Sequence, residues 1–236
     1  MTSTAKPADN TLSEETKTLF ESLVASRRSV RAFLPKAVPQ TMLEYLFELA
    51  SHAPSNCNTQ PWVAHVVSGQ ALNRLREALP SATMKGEFSM DFPYEGKYTG
   101  IYKVRQYDAA NQLFTAMGIA REEKEKRGAA FLRNFSFFDA PHAVFLFMDG
   151  CFGVREAADL GMYAQTFMLA CTALGLASCP QTSVSLHAGT VRNELGIAEH
   201  FKLLFGIAFG YENKAAAANQ CRTPRAPLVE NVVFYS

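Results

Sequence analysis

A short basic segment near the start of the chain has the residue types that hold phosphate groups. It reads Arg27-Arg28-Ser29-Val30-Arg31. In an extended chain alternate side chains share one face, so Arg27, Ser29 and Arg31 would lie together, with about 6–7 Å between neighbours. Two guanidinium groups with a hydroxyl between them suit a phosphate, through charged and bidentate hydrogen bonds. A solvated basic turn would have the same composition, and this segment alone leaves both interpretations open.

A second basic pair lies far away in the sequence, in the stretch from Asn219 to Arg225. There Arg222 and Arg225 flank Pro224, whose ring restricts the backbone. The pair can act as a second grip on an anion. A solvated tail would also have this composition.

Two polar turns have groups that recognise flat, polar ligands. The first, APSNCNTQPW, runs from Ala53 to Trp62, and its amides Asn58 and Gln60 can each donate and accept hydrogen bonds. The second follows a short predicted strand, and small polar residues after Pro180 can aim backbone N–H groups at a ligand. Either turn is also typical of an ordinary loop, and Trp62 itself is expected in the core.

The composition excludes several classes of protein. Lys and Arg total 23 and Asp and Glu total 22, a formal charge of +1, whereas a general nucleic-acid binder usually has a larger basic excess. An apolar fraction of 48% is too high for a disordered chain, and no apolar run approaches the ~20 residues that span a bilayer. Residues 1–12 lack a signal-peptide pattern and are expected to form a disordered lead.

Familiar catalytic and metal motifs are missing from the sequence. It contains no GxGxxG, GxxxxGK[ST], HExxH or GxSxG, and its five histidines have no ligand spacing, so no bound metal is expected. Five scattered cysteines without a CxxC pair indicate a reducing, cytoplasmic location and no structural zinc site. The cysteines are expected to be buried and inert.

The elements that must position these residues follow from the hydrophobic periodicity. Helices are predicted at residues 13–26, with Ser13 as the cap, after Pro39, and at 70–79, 106–127, 154–174 and 191–195. Strands are predicted at residues 62–67, 142–148, 177–179, 202–209 and 231–235. Helices and strands mix without strict βαβ alternation, which favours a single α+β domain over residues 13–236. The last strand has no hairpin partner nearby, so it must add to a sheet edge, which can belong to another chain.

Together the four segments resemble the FMN-dependent nitroreductase family. RRSVR, a helix, APSNCNTQPW, a GL…P turn and a final N..R..R occur in that order, and the resemblance covers residues 27–235. Within the family, FSMDFPYEGKY and NCNTQPW are most similar to the nitrobenzoate-reductase type. The resemblance implies an α+β sandwich with a mixed central sheet flanked by helices. It also implies an intertwined homodimer that exchanges its C-terminal strand and holds two FMN molecules at the subunit interface.

The resemblance assigns the phosphate end of the cofactor to the two basic segments. Arg27 and Ser29 match phosphate-holding positions, and Arg28 matches a position along the ribityl and phosphate end. Arg225 matches the tail arginine on the phosphate, with Arg222 as its helper. Some members have Lys two residues before the tail arginine, where this chain has Thr223, so the grip is expected to depend more on Arg222.

The flavin ring is assigned to Arg31 and the two polar turns. Arg31 matches the basic residue facing the pyrimidine edge. The loop that reaches the flavin from the partner chain is matched by Ser55, Asn56 and Asn58, and the turn near the reactive ring nitrogen by Pro180, Gln181, Thr182 and Ser183. Some members place Asn and Lys before the strand that starts at His142. This chain departs from that pattern, so neither role is transferred to the residues found there, Arg133, Asn134, Phe135 and Ser136.

The resemblance implies an NAD(P)H-dependent oxidoreductase that reduces nitroaromatic compounds in alternating half-reactions. NAD(P)H reduces FMN and leaves, and a nitroaromatic then takes hydride and becomes a hydroxylamine by way of a nitroso compound. Arg31 would stabilise the reduced, anionic flavin, and no side-chain acid, base or nucleophile is obligatory. The alternatives are the same chemistry on quinones, enones or halogenated aromatics, and a flavin-binding storage or sensor protein without turnover.

Residues 84–138 are expected to cover the pocket as a helical, lid-like excursion rich in aromatic and charged residues. Lys97, Lys103 or Arg105 would meet a substrate carboxylate. The aromatic rings available to stack on an arene are Phe88, Phe92, Tyr94, Tyr98, Tyr102 and Tyr107. Ordinary packing or surface exposure is the alternative for each of these residues.

Overall fold

A four-stranded sheet lies at the centre of the molecule, a computed structural model that describes residues 12–94 and 96–236. The predicted disordered lead, residues 1–12, lies outside the described residues except for Leu12. The strands are β1 (Val63–Ser68), β2 (His142–Asp149), β3 (Ala177–Gln181) and β4 (Phe201–Gly210). They lie in the order β1-β2-β4-β3 with every neighbouring pair antiparallel. The sheet is therefore antiparallel and not mixed as predicted. Among the described residues, parallel pairing is confined to one bridge between Ser29 and Ser178.

Helices pack on both faces of the sheet, which confirms the predicted α+β class. They are α1 (Glu14–Ser26), α2 (Gln40–Ala50), α3 (Gly69–Lys85), α4 (Gly100–Ala116), α5 (Lys124–Leu132), α6 (Val154–Ala173) and α7 (Ala188–Leu195). Ser13 caps α1 as predicted, because its Oγ accepts the backbone N–H of Thr16 at 3.2 Å. In the described part of the chain, no helix combines the length and the hydropathy needed to cross a bilayer.

Two hydrophobic clusters, one on each face of the sheet, form the core. β2 is the central apolar strand, and its alternate side chains enter different clusters because the side-chain period of a strand is two. Phe145 and Phe147 pack with α3 and α7, whereas Leu146 and Met148 pack with α2 and α6. The continuous apolar run at residues 142–148 is thus explained by burial on both faces.

The predicted helix over residues 106–127 is wrong in its bounds. Two helices, α4 and α5, occupy this region instead. The chain leaves α4 at Gly118, which has a φ of 66°. Glycine adopts this left-handed conformation without a Cβ clash and commonly ends helices in this way.

The C-terminal tail forms no strand in the single chain, so the predicted strand at residues 231–235, which needs a sheet edge to join, stays a prediction. A 3-10 turn at Leu228–Glu230 leads into irregular backbone. Phe234 and Tyr235 are 82% and 93% exposed. The apolar composition that suggests a strand is present, but no described strand of the same chain pairs with it.

Candidate functional site

The first basic segment lies extended along the edge of the sheet, immediately after α1. The backbone N–H of Val30 donates to the carbonyl of Ser178 on β3 at 3.0 Å, and Ser29 bridges the same residue. The Val30 side chain is buried in the core. Arg27, Ser29 and Arg31 line a common groove, as the alternation predicts, and Arg28 lines it as well.

Asn219 connects this segment to the C-terminal tail. Its buried side chain accepts the backbone N–H of Arg31 at 2.7 Å and donates to the carbonyl of Ala32 at 2.8 Å. The carbonyl of Asn219 in turn accepts a hydrogen bond from the Arg222 guanidinium at 2.7 Å. One asparagine thus holds both basic segments side by side.

The two basic segments line one groove of about 850 Å³. Both tail arginines, Arg222 and Arg225, face it together with the side chains of the first segment, and no carboxylate is among the described residues that line it. Burial lowers the pKa of Arg27, and the positive charge of Arg225 lowers it further. Like charges held this close attract an anion, so the arrangement fits a phosphate.

Arg28 differs from its neighbours because its charge is already paired. Its guanidinium forms an ion pair with Glu212, whose side chain is largely buried. Its Nε is buried without a hydrogen-bond partner among the described residues. Arg28 lines the groove, and its contact with the ribityl and phosphate end of a cofactor stays a prediction.

The turn after β3 carries two buried polar atoms that lack partners among the described residues. They are the side-chain oxygen of Gln181 and the hydroxyl of Ser183. The other end of the Gln181 amide donates to the carbonyl of Asn134 at 2.7 Å, which fixes the side chain. Pro180 is exposed, and Thr182 begins a 3-10 turn, Thr182–His187. No residue of the range 180–183 is among the described residues that line the groove, so the predicted contact of this turn with a ligand stays a prediction.

A smaller cavity of about 160 Å³ adjoins the groove and shares Arg31 with it. Its wall is mostly apolar and includes Phe114, Phe131 and Phe138. Arg133 and Asn134 also line it, although their sequence positions depart from the family pattern and predicted no role for them. The sequence signal available for them is their place ahead of β2, where some family members have Asn and Lys. Only the packing of α4 and α5 over Arg31 makes them part of the site.

The predicted substrate contacts of residues 84–138 are not seen at the pockets of the single chain and stay predictions. None of the six predicted aromatic rings lines the groove or the cavity of this chain, and α4 contributes Ala110 and Leu113 to both instead. Phe88 stacks on His187 with ring centroids 5.4 Å apart. Arg105 forms an ion pair with Glu230 at 2.8 Å, so its charge is engaged by the tail.

The polar loop at residues 55–58 lies elsewhere in the single chain. The backbone N–H of Asn56 donates to the buried carboxylate of Asp159 on α6 at 3.1 Å, and the Ser55 hydroxyl accepts the N–H of Gln60 at 2.9 Å. Asn58 has a φ of 55°. None of the three predicted loop residues lines the groove of its own chain.

The metal-ligating residue types and the cysteines are scattered in the part of the chain that the structure describes. Across the described residues, no three His, Cys, Asp or Glu side chains group together to hold a metal ion. All five cysteines are free, and Cys57 and Cys151 are exposed, which corrects the expectation that all are buried. Burial raises the pKa of the Cys179 thiol to about 11 and raises that of Cys171 as well. Both buried thiols therefore stay protonated and unreactive.

Comparison with known proteins gives consistent matches over most of the chain. A model of the Nitroreductase family matches residues 24–211. Nitroreductase NfnB of Mycolicibacterium smegmatis is 48% identical over 215 residues, which cover 91% of this chain and 92% of that protein. The 4-nitrobenzoate reductase of Pseudomonas putida is 30% identical over 212 residues, which cover 87% and 91% of the two chains.

The fold agrees as well. The crystal structure of the FMN-dependent nitroreductase NfnB from Mycobacterium smegmatis in complex with NADPH matches with a TM-score of 0.90 at 46% identity. The match covers 94% of this chain and 100% of that one. Sequence, fold and the order of the basic segments therefore lead to the same conclusion: the chain belongs to the nitroreductase family.

Proposed function

We propose that this protein is an FMN-dependent NAD(P)H oxidoreductase that reduces nitroaromatic compounds by a ping-pong mechanism. Its relatives support this, since NfnB is named an FMN-dependent nitroreductase in a complex with NADPH and another relative is named a 4-nitrobenzoate reductase. The observation that carries the proposal in this chain is the convergence of two distant basic segments on one groove.

The phosphate of FMN would be held where these segments meet. Arg27 and Ser29 from the first segment and Arg222 and Arg225 from the tail supply guanidinium and hydroxyl donors to the groove. Burial and then repulsion from Arg225 lower the pKa of Arg27, and a phosphate dianion would offset that repulsion. No carboxylate is among the described residues that line the groove, so these donors have no competing negative charge and suit an anion.

The ring of the cofactor would extend toward Arg31 and the turn after β3. When bound, FMN would pass hydride from NAD(P)H to the nitro group, which with a proton gives the nitroso compound and water. A second NAD(P)H and a proton would then reduce the nitroso compound to the hydroxylamine. Arg31 is a permanent cation and would stabilise negative charge at the pyrimidine edge. Gln181 and Ser183 would lie near the reactive nitrogen of the ring, as the resemblance implies. Pro180 and Thr182 would shape that turn.

We infer that a second copy of the chain completes the site. Ser55, Asn56 and Asn58 do not line the groove of their own chain, so their predicted contact with the flavin requires a partner. Apolar residues that a monomer would expose support an interface: Leu19 and Phe20 on α1 are 61% and 60% exposed, and the tail ends in exposed Phe234 and Tyr235. The tail would pair with the partner's sheet edge.

Residues 84–138 would serve as the lid over the site. The free cysteines suit a cytoplasmic location.

The visible spectrum of the purified protein tests the proposal first. A flavin spectrum is expected, and colourless protein that does not bind added FMN would overturn it. Anaerobic titration with NADH and with NADPH should bleach the flavin, whereas a storage or sensor protein would stay oxidised. Turnover of 4-nitrobenzoate should then exceed that of a quinone, and the reverse order would favour the alternative acceptor class.

A further inference from the structure

Three successive residues before β2 have left-handed backbones although none is glycine. Phe137, Phe138 and Asp139 have φ values of 56°, 53° and 67°. A residue with a Cβ is disfavoured in this region, and bulky residues are rare there. A run of three such residues persists only where the surrounding structure holds it, and such strain concentrates at functional sites.

Arg76 on α3 holds both ends of this left-handed turn. Its guanidinium donates to the carbonyl of Ala140, after the turn, at 2.5 Å and to the carbonyl of Ser136, before it, at 3.4 Å. A third hydrogen bond, to the side chain of Asn73 at 2.9 Å, orients the group from its own helix. Arg76 is half-buried and lines neither the groove nor the cavity.

The left-handed turn supports the candidate site on its other side. The carbonyl of Phe138 accepts the backbone N–H of Phe33, two residues after Arg31, at 3.2 Å. The ring of Phe138 lines the small cavity together with Arg31. Just before the turn, the carbonyl of Asn134 accepts the amide of Gln181. The basic segment, the cavity wall and the turn after β3 therefore all depend on one strained piece of backbone.

We propose that Arg76 is a positioning residue for the FMN site, acting from outside it by holding the left-handed turn. The inference rests on the proposed function, because that function supplies the cofactor FMN. Its physical cause is the set of hydrogen bonds that Arg76 makes to the turn. Without the guanidinium, the carbonyls of Ser136 and Ala140 lose their charged donor and the backbone can relax toward right-handed conformations. Phe138 and the carbonyl of Asn134 would then move away from the groups they support.

The first experiment compares Arg76→Met with the matched control Arg74→Met. Arg74 lies on the same helix but pairs with Glu194 at 3.3 Å and does not touch the turn. Arg76→Met should weaken FMN binding about tenfold or more, since it removes charged hydrogen bonds, and should speed hydrogen exchange at the N–H of Phe33. Arg74→Met should leave both unchanged.

A second variant separates positioning from general stability. Adding Asp139→Gly to Arg76→Met removes the steric cost of one left-handed residue, because glycine adopts positive φ freely. This double variant should regain most of the lost FMN affinity. Asp139→Asn is the control for the ion pair that Asp139 makes with Arg133 at 3.0 Å, because it removes the charge and keeps a residue that tolerates this conformation.

The outcomes are distinct. Normal FMN affinity and normal exchange at Phe33 in Arg76→Met would overturn the inference. A loss of thermal stability that Asp139→Gly does not relieve, with FMN affinity still low, would assign Arg76 a structural role only and also overturn it. Failure of the wild-type protein to bind FMN would instead reject the proposed function, and the exchange measurement at Phe33 would still report whether Arg76 holds the turn.

Discussion

The side-chain oxygen of Asn219 accepts the backbone N–H of Arg31 at 2.7 Å across 188 residues of sequence. The same amide donates to Ala32 and to the carbonyl of Asn213. Because Asn219 is buried, its hydrogen bonds are shielded from water, and their loss leaves backbone groups unsatisfied. This contact sets the distance between the tail arginines and the first basic segment.

Asn219→Ala is therefore expected to destabilise the protein and loosen the groove. The free energy of unfolding should fall by about 1–3 kcal/mol, the cost of unsatisfied buried polar groups, as measured by urea denaturation of FMN-free protein. The neighbouring Gln220→Ala is the control, because that exposed side chain makes one hydrogen bond, to the carbonyl of Lys214. Equal stability of the two variants would contradict the proposed connection.

Arg27→Ala should weaken retention of FMN. The substitution removes one charged donor to the phosphate, so the dissociation constant should rise about tenfold to a hundredfold in a titration of apoprotein. Arg155→Ala, at an exposed arginine on α6 outside the groove, should bind FMN as the wild type does. An unchanged affinity in Arg27→Ala would count against the phosphate assignment.

Arg31→Ala should lower the midpoint potential of the bound flavin. A cation near the pyrimidine edge favours the reduced, anionic form, so its removal should shift the two-electron potential by about 30–60 mV in the negative direction. Arg31→Lys should recover part of the shift because it keeps the charge. A potential that stays constant, or rises, in a spectroelectrochemical titration would refute this role.

Heterodimers can test whether Asn58 acts on the partner's groove. One chain carries Arg27→Ala and the other Asn58→Gly, where glycine keeps the left-handed backbone of that position. If the loop acts across the interface, one groove keeps both residues intact, and about one FMN per dimer should remain after purification through two different tags.

The matched control places both substitutions in one chain and pairs it with the wild type. Each groove then lacks one of the two residues, so this dimer should retain less FMN than the first, although it carries the same substitutions. The opposite ranking would show that Asn58 acts within its own chain. A protein that elutes as a monomer in size-exclusion chromatography would reject the shared site altogether.

Protonation of His142 should reduce stability in mild acid. Burial lowers the pKa of His142, and its Nε2 accepts the backbone N–H of Val38 at 3.0 Å, a bond that the protonated ring cannot make. Below the unfolded pKa of about 6.5 the unfolded chain binds more protons, so stability falls as pH decreases. His142→Gln should flatten this dependence in part, since burial also lowers the pKa of His65 and His187. An unchanged slope of unfolding free energy against pH in His142→Gln would contradict this role.

Much of the fold could be predicted because its signals are local. The hydroxyl of Ser13 caps α1 by accepting an N–H only three residues away, and the apolar run at β2 indicates burial on both faces. The predicted bounds of the helix over residues 106–127 were wrong because helix-forming residues and a helix-ending glycine occur in the same stretch. The excursion contains enough helix-forming residues for one long helix, and Gly118 divides it into two.

The site could be predicted only in parts. The types and spacing of Arg27, Ser29 and Arg31 indicated a phosphate grip, and the second pair at the tail indicated another. Nothing in their spacing could show that Asn219 joins them, because that depends on where a tail nearly two hundred residues later folds back. For the same reason Asn134 and Phe138 were missed, since the packing of other helices makes them a cavity wall.

The sequence by itself therefore determined the α+β class, the family and the chemical character of the basic segments, all of which depend on neighbouring residues and their order. Only the tertiary structure decided that the two segments share one groove, that Glu212 already neutralises Arg28, and that the tail stays unpaired in the single chain. These features arise from contacts between residues far apart in sequence, which local periodicity and composition do not encode.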